Sequence, residues 1–151
     1  MKVFLTVLLL AAFPACTFHA SKQNPEAAAA SAAEFAKAAF VERNIDKAYG
    51  LLDPEFQSYA PREKFAEVIT AMNTPTSPAV VTATEFEPIP GQEGMNIYLT
   101  GENGAEKFYY RIPMKGSEGR GYKAAGVFRG QGPYAPSESR QPLQVKRPTG
   151  G

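Results

Sequence analysis

The side chains able to do covalent or acid–base chemistry are few, and their positions narrow what they can do. The only cysteine is Cys16 and the only histidine is His19, three residues later. No residue after His19 therefore supplies a thiol or an imidazole. That excludes Ser-His-Asp and Cys-His catalysis in the body of the chain, along with zinc sites of the usual ligand sets. One His beside one Cys is too small a donor set for a metal, so neither a metal nor a cofactor is expected. Glycines 116, 119 and 121 join two strand-like runs rather than a strand and a helix, which leaves no helix N-terminus to cradle a phosphate.

Carboxylates and tyrosines remain. Asp46 and Asp53 are the only aspartates, and both fall at helix ends, where capping accounts for them. Glu85, Glu87 and Glu106 fall on strand-like runs, and alternation with Phe86 and Phe108 turns them toward water. Tyr110 shares a strand face with Phe108 and Ile112, so its ring belongs in the core and its hydroxyl needs a partner or an opening. Tyr49, Tyr98, Tyr110 and Arg111 are the candidates for a pocket or an interface. Tyr98 and Arg111 lie on the strand faces opposite the apolar set, which points them at an outer surface that meets a partner. No residue earns a catalytic assignment.

Met1-Lys2 is followed by an apolar run, Val3 to Phe13, broken only by Thr6. As a helix this run spans about 16 Å, half of a hydrocarbon core, so it suits a secretory leader and not a membrane span. Phe13-Pro14-Ala15-Cys16 resembles the lipobox of bacterial lipoproteins. Ala15 and Cys16 match the pattern, while Phe13 and Pro14 replace its usual Leu and small residue. The resemblance implies a signal peptide over 1–15, removal of that peptide, and lipid on Cys16 as the new N-terminus. Two or three acyl chains give stable anchoring where one is marginal. Thr17 in place of Asp implies, by the same resemblance, the outer membrane and the periplasmic side of the envelope. The alternative is a soluble secreted protein with Cys16 free or discarded. It meets Phe13 and Phe18 where a small-x-small cleavage site at Ala15 or Ala20 needs small residues.

The 151 residues suit one domain, and 44% hydrophobic residues can build a core. One cysteine leaves no internal disulfide, so packing alone must hold the fold. Sixteen Lys and Arg face fifteen Asp and Glu, and losing the leader removes Lys2 alone. The mature chain is neutral, without the basic stripe that nucleic acid requires.

Residues 16–25 read as the lipidated cysteine and a polar tether, closed by Asn24-Pro25-Glu26 as a helix start. A first helix is expected from Pro25 to Arg43, with Ala32, Phe35, Ala36, Ala39 and Phe40 as its stripe. Asp46 is expected to cap a second helix carrying Ile45, Ala48, Tyr49 and Leu52, which Pro54 stops. Pro61 opens a third, with Phe65, Val68, Ile69 and Met72 on one face. The period then changes to alternation in four runs: Val80 to Glu87, the run around Met95, Ile97 and Leu99, the run of Phe108, Tyr110, Ile112 and Met114, and Tyr122 to Arg129. Tyr122 and Phe128 are expected to share the buried face. Asn103-Gly104 is a two-residue hairpin signal, and Pro113 marks an edge, a bulge or an early end to pairing. Residues 131–151 read as a disordered Pro/Gly-rich tail in which only Tyr134, Leu143 and Val145 have the character to pack.

The layout is α+β: three N-terminal helices on a curved antiparallel sheet of about four strands. Val41 to Phe56 (VERNIDKAYGLLDPEF), the helix REKFAEVITAM and the strand GYKAAGVFRG make residues 26–130 similar to the small members of the nuclear transport factor 2-like superfamily. In those a curved sheet wraps a long first helix as a cone. Three functional readings follow. The preferred one, motivated by the anchor, the compact domain and the missing catalytic side chains, is a non-catalytic domain binding an envelope protein. A small apolar ligand in the cone requires an open cavity lined by Phe108, Tyr110 and Ile112. An isomerase- or dehydratase-like enzyme requires an acid inside that cavity, against Tyr110.

Overall fold

A computed structural model describes residues 22–144; the leader, Cys16, His19 and residues 145–151 lie outside the described residues. Within them the protein is α+β. Four α-helices, α1 (Pro25–Ala36), α2 (Ile45–Gly50), α3 (Pro54–Tyr59) and α4 (Arg62–Met72), precede the strands. These are β1 (Val80–Pro88), β2 (Gly94–Asn103), β3 (Glu106–Ser117), β4 (Gly121–Ala124), β5 (Phe128–Gly130) and β6 (Gln141–Pro142). They form one open antiparallel sheet in the order β4-β3-β2-β1-β6, with β5 also on β3.

Local chemistry explains where the helices begin. Asn24 accepts a hydrogen bond from the Ala27 N–H at 3.0 Å, and Pro25 fills the first helical position. The first helix does not run unbroken to Arg43. From Lys37 to Val41 it widens into a π turn, with the Glu42 N–H reaching the Lys37 carbonyl at 2.8 Å. The wider turn advances the phase, and Ala38, Ala39 and Phe40 are all fully buried. Arg43, at φ 53, then turns the chain.

Two further helix expectations need correction. Asn44, not Asp46, caps α2, accepting from the Lys47 N–H at 3.0 Å; Asp46 instead pairs with Arg62 at 2.6 Å. Pro54 does not merely stop α2 but opens α3, capped by Asp53, so the helices number four rather than three. Both roles suit a proline, because it ends the preceding helix and is pre-set for the first turn of the next.

The central strands follow their alternation closely. Phe108, Tyr110, Ile112 and Met114 are at most 1% exposed, and Met95, Ile97 and Leu99 at most 2%. Phe35, Phe40, Phe65 and Ile69 from the helices close over them. The expected fourth strand splits at residues 125–127 into β4 and β5. Pro113 faces that break, and its carbonyl accepts from the Ala125 N–H at 2.8 Å, but its nitrogen has no hydrogen to return. The split changes the phase. Tyr122 stays buried at 6% exposure, whereas Phe128 pairs with Arg111 on the outer face and is 47% exposed.

The expectation of a disordered tail from residue 131 is corrected as far as residue 144. That segment lies along the outer face, and β6 pairs with β1 through Glu85–Pro142 and Phe86–Gln141.

Candidate functional site

Three separate environments receive the four candidate side chains. Tyr49 lies half-buried among the helices, its ring 5.7 Å from Phe65 and its hydroxyl donating to the Ala60 carbonyl at 3.2 Å. Gln57 answers by donating to the Tyr49 carbonyl at 2.6 Å. This clasp joins α2 to α3.

Tyr110 stands on the inner face with no exposed surface. The Phe40 ring stacks on it, centroids 4.2 Å apart and planes inclined by 16°, filling the space where a ligand would sit. Its hydroxyl has no hydrogen-bond partner among the described residues. Burial raises its pKa to about 12, opposed by the nearby Arg129 cation. Arg129 itself donates to the Met72 carbonyl at the end of α4 and lies 5.0 Å over the Phe108 ring. A cation suits a helix C-terminus.

Tyr98 and Arg111 do occupy the outer face, yet they do not form an open surface. The segment after β5 covers them. Arg140 sits 3.9 Å over the Tyr98 ring, and Tyr134 meets Tyr98 edge-on at 5.4 Å. Arg111 lies 4.5 Å over Phe128 and 6.0 Å from Tyr134. Arg111 and Arg140 thus flank the Tyr134–Tyr98 pair, each cation held against the negative face of a ring. Tyr98 is left 5% exposed.

Glu87 fastens this layer and was missed as a site residue. It was expected in water, but its carboxylate accepts hydrogen bonds from Ser137 at 2.6 Å, from Ser139, and from the Tyr98 hydroxyl at 2.7 Å. Those bonds, in the order Ser137, Ser139, Tyr98, hold its pKa down at about 2. Neighbouring Glu85 is half-buried and 3.6 Å from Arg140, whereas Glu106 is exposed as its alternation implies. The serines of a Pro/Ser-rich stretch were the one available signal for this latch, and nothing along the chain names their acceptor.

General acid–base work near neutral pH needs a group poised near that pH. Glu87 and Tyr110 are displaced to opposite ends of the scale, and they lie on opposite faces of the sheet. Among the described residues, no group of three or more His, Cys, Asp or Glu could hold a metal ion. No helix there is long and apolar enough to cross a membrane.

One apolar groove of about 270 Å³ opens beside the break between β4 and β5, lined by Phe56, Phe65, Val68, Val127 and Phe128 among others. Tyr59 and Val68, 67% and 41% exposed, stand on the helices next to it. No family model matches the chain, and comparisons with curated proteins and with solved structures find no match either.

Proposed function

We propose that the protein is a membrane-tethered, non-catalytic binding domain. In this reading lipid on Cys16 holds it on the periplasmic side of the bacterial outer membrane. Its body is a small nuclear transport factor 2-like cone, and it engages another protein of the envelope.

The observation that carries the reading is the filled interior. A ligand in the cone requires room against Phe108, Tyr110 and Ile112, and these are at most 1% exposed beneath Phe40. An isomerase-like mechanism requires an acid against Tyr110, whose charged neighbour is the cation Arg129. Chemistry outside the cone then falls to contact surface. Tyr59, Val68 and Phe128, around the groove of Phe56 and Val127, supply the kind of apolar and aromatic anchors that dominate protein interfaces. The tether favours the same view. Lys22 to Asn24 dock on the β3–β4 hairpin, where the Lys22 carbonyl accepts from the Glu118 N–H at 3.0 Å and Tyr122 accepts from the Asn24 N–H at 2.7 Å. The lipid therefore pulls on a fixed end of the body.

Membrane fractionation tests the anchor: Cys16→Ser should move the protein into the soluble fraction, and unchanged membrane association would count against it. Capture from detergent-solubilised membranes tests the partner. A partner retained by the unaltered protein should be lost with Phe128→Glu, while retention by both would remove this surface from the proposal.

A further inference from the structure

Between the end of α4 and the strand β5 lies a second groove, and its charge is one-sided. It holds about 590 Å³ and is lined by Val68, Met72, Lys107, Phe108 and Arg129 among others, with no carboxylate in its wall. Arg129 is the cation whose position is fixed. Half-buried, it donates to the Met72 carbonyl and lies 5.0 Å over the Phe108 ring. A guanidinium is a planar fork of N–H donors, and no acceptor besides Met72 meets it among the described residues.

The chain has no acid of its own to answer this cation. All fifteen Asp and Glu residues fall within residues 22–144, and their ion pairs leave both Arg129 and Lys107 without a carboxylate. Glu102 stands opposite Lys107 across the β2–β3 pair and Glu106 precedes it, yet neither pairs with it; Glu106 instead accepts from Thr76 at 2.6 Å. The apolar groove beside Phe56 and Val127 adjoins this one. Val68 lines both, and Phe128 and Arg129 are consecutive on β5. Lys64, on the apolar wall, is already paired with Glu67 at 2.8 Å. The joined grooves are thus apolar toward the start of α4 and cationic toward its end.

We infer that they form a docking site for a segment of a partner protein that presents an apolar side chain and, a few residues away, an Asp or Glu. The apolar side chain fills the space beside Phe128. The carboxylate takes the free part of the Arg129 fork, the geometry in which arginine binds carboxylates best, and Lys107 adds to the positive field. The inference rests on the partner-binding reading above and adds the chemistry that the partner must show.

A library of random peptides displayed on phage and selected on the full chain tests it. Selected peptides should share an acid at a fixed spacing from an apolar residue. As synthetic peptides followed by fluorescence anisotropy, they should lose about tenfold or more in affinity when that acid is changed to its amide, which leaves the protein untouched. Arg129→Gln, checked for folding by its thermal melt, should bind the acid and amide peptides equally. The milder Arg129→Lys should still lose several-fold, because an ammonium cannot reproduce the fork. Selected peptides with no shared acid, an affinity unmoved by the amide change, or a full amide effect in Arg129→Gln would each overturn the inference. So would a selection that yields no peptide. If the partner captured from membranes is still lost with Phe128→Glu in those cases, the partner-binding reading stands without this chemistry. Self-association that Arg129→Gln abolishes would assign the groove to a second copy and overturn the inference as well.

Discussion

Replacing Tyr110 by Phe should make the protein more stable, although it removes a polar group from a tyrosine at the centre of the fold. The hydroxyl is buried with no hydrogen-bond partner among the described residues, and a hydroxyl desolvated without compensation costs about 1–3 kcal/mol. Tyr110→Phe keeps the ring, its stack on Phe40 and nearly all of its volume. The lost contacts of one oxygen offset part of the gain, leaving about 1 kcal/mol of net stabilisation. For a domain of this size that raises Tm by about 3–5 °C. Urea unfolding should show a higher midpoint with an unchanged slope. The pH dependence gives a second check. The folded pKa of about 12 lies above a tyrosine's ordinary value of 10.0, so the folded state resists losing this proton. Tyr110's contribution is constant below pH 10 and turns against folding as pH rises from there toward 12, so the advantage of the variant should widen across that interval. A variant less stable by about 1 kcal/mol would refute the reasoning, since the hydroxyl would then have a partner, such as a trapped water or a ligand, and the interior beneath Phe40 would not be filled as described.

Phe40→Ala removes the fully buried ring stacked on Tyr110 and should cost about 3–5 kcal/mol in chemical unfolding; a cost under 1 kcal/mol would mean the interior collapses around the loss. Glu87→Ala removes the acceptor of three hydroxyls and should loosen residues 131–144, read as roughly tenfold faster proteolysis within that segment and little change in the global midpoint. Because the Glu87 pKa is depressed from 4.5 to about 2, the latch is fully present above pH 4.5 and weakens as pH falls toward 2. Cleavage in the segment that changes between pH 5 and 8 would contradict that.

Much of the fold was legible wherever the signal is local. Asn24 and Pro25 start a helix because a cap needs only a side-chain oxygen three residues from an unsatisfied N–H. The Phe108, Tyr110, Ile112 and Met114 face was readable because a strand cannot help alternating. Proline was ambiguous: Pro54 read as a stop and proved also to be a start. Pro113 announced trouble in the pairing, but which way the next strand would break was not written at that position, and the outward turn of Phe128 depended on it.

The candidate site was legible only in part, for a reason of the same kind. Periodicity assigns a side chain to a face of a strand and says nothing of what covers that face. Tyr98 and Arg111 were placed on the outer side correctly, but the cover came from Tyr134 and Arg140, distant along the chain, and the latch joins Ser137 to Glu87 across 50 residues. A segment poor in aliphatic side chains is held there by cation–ring contacts and hydroxyl–carboxylate bonds, to which a count of hydrophobic residues is blind.

The sequence by itself determined that no residue after His19 supplies a thiol or an imidazole, that one cysteine leaves no internal disulfide, and that alternation makes the inner strand faces apolar. Tertiary structure alone decided that Phe40 stacks on Tyr110 over the inner face of the sheet, that Tyr49, Tyr98, Tyr110 and Arg111 do not converge, and that the tail runs along the sheet as far as residue 144. Residue types and local spacing are properties of the chain. Which surfaces meet depends on contacts between residues far apart in it, and those form only once the whole domain has folded.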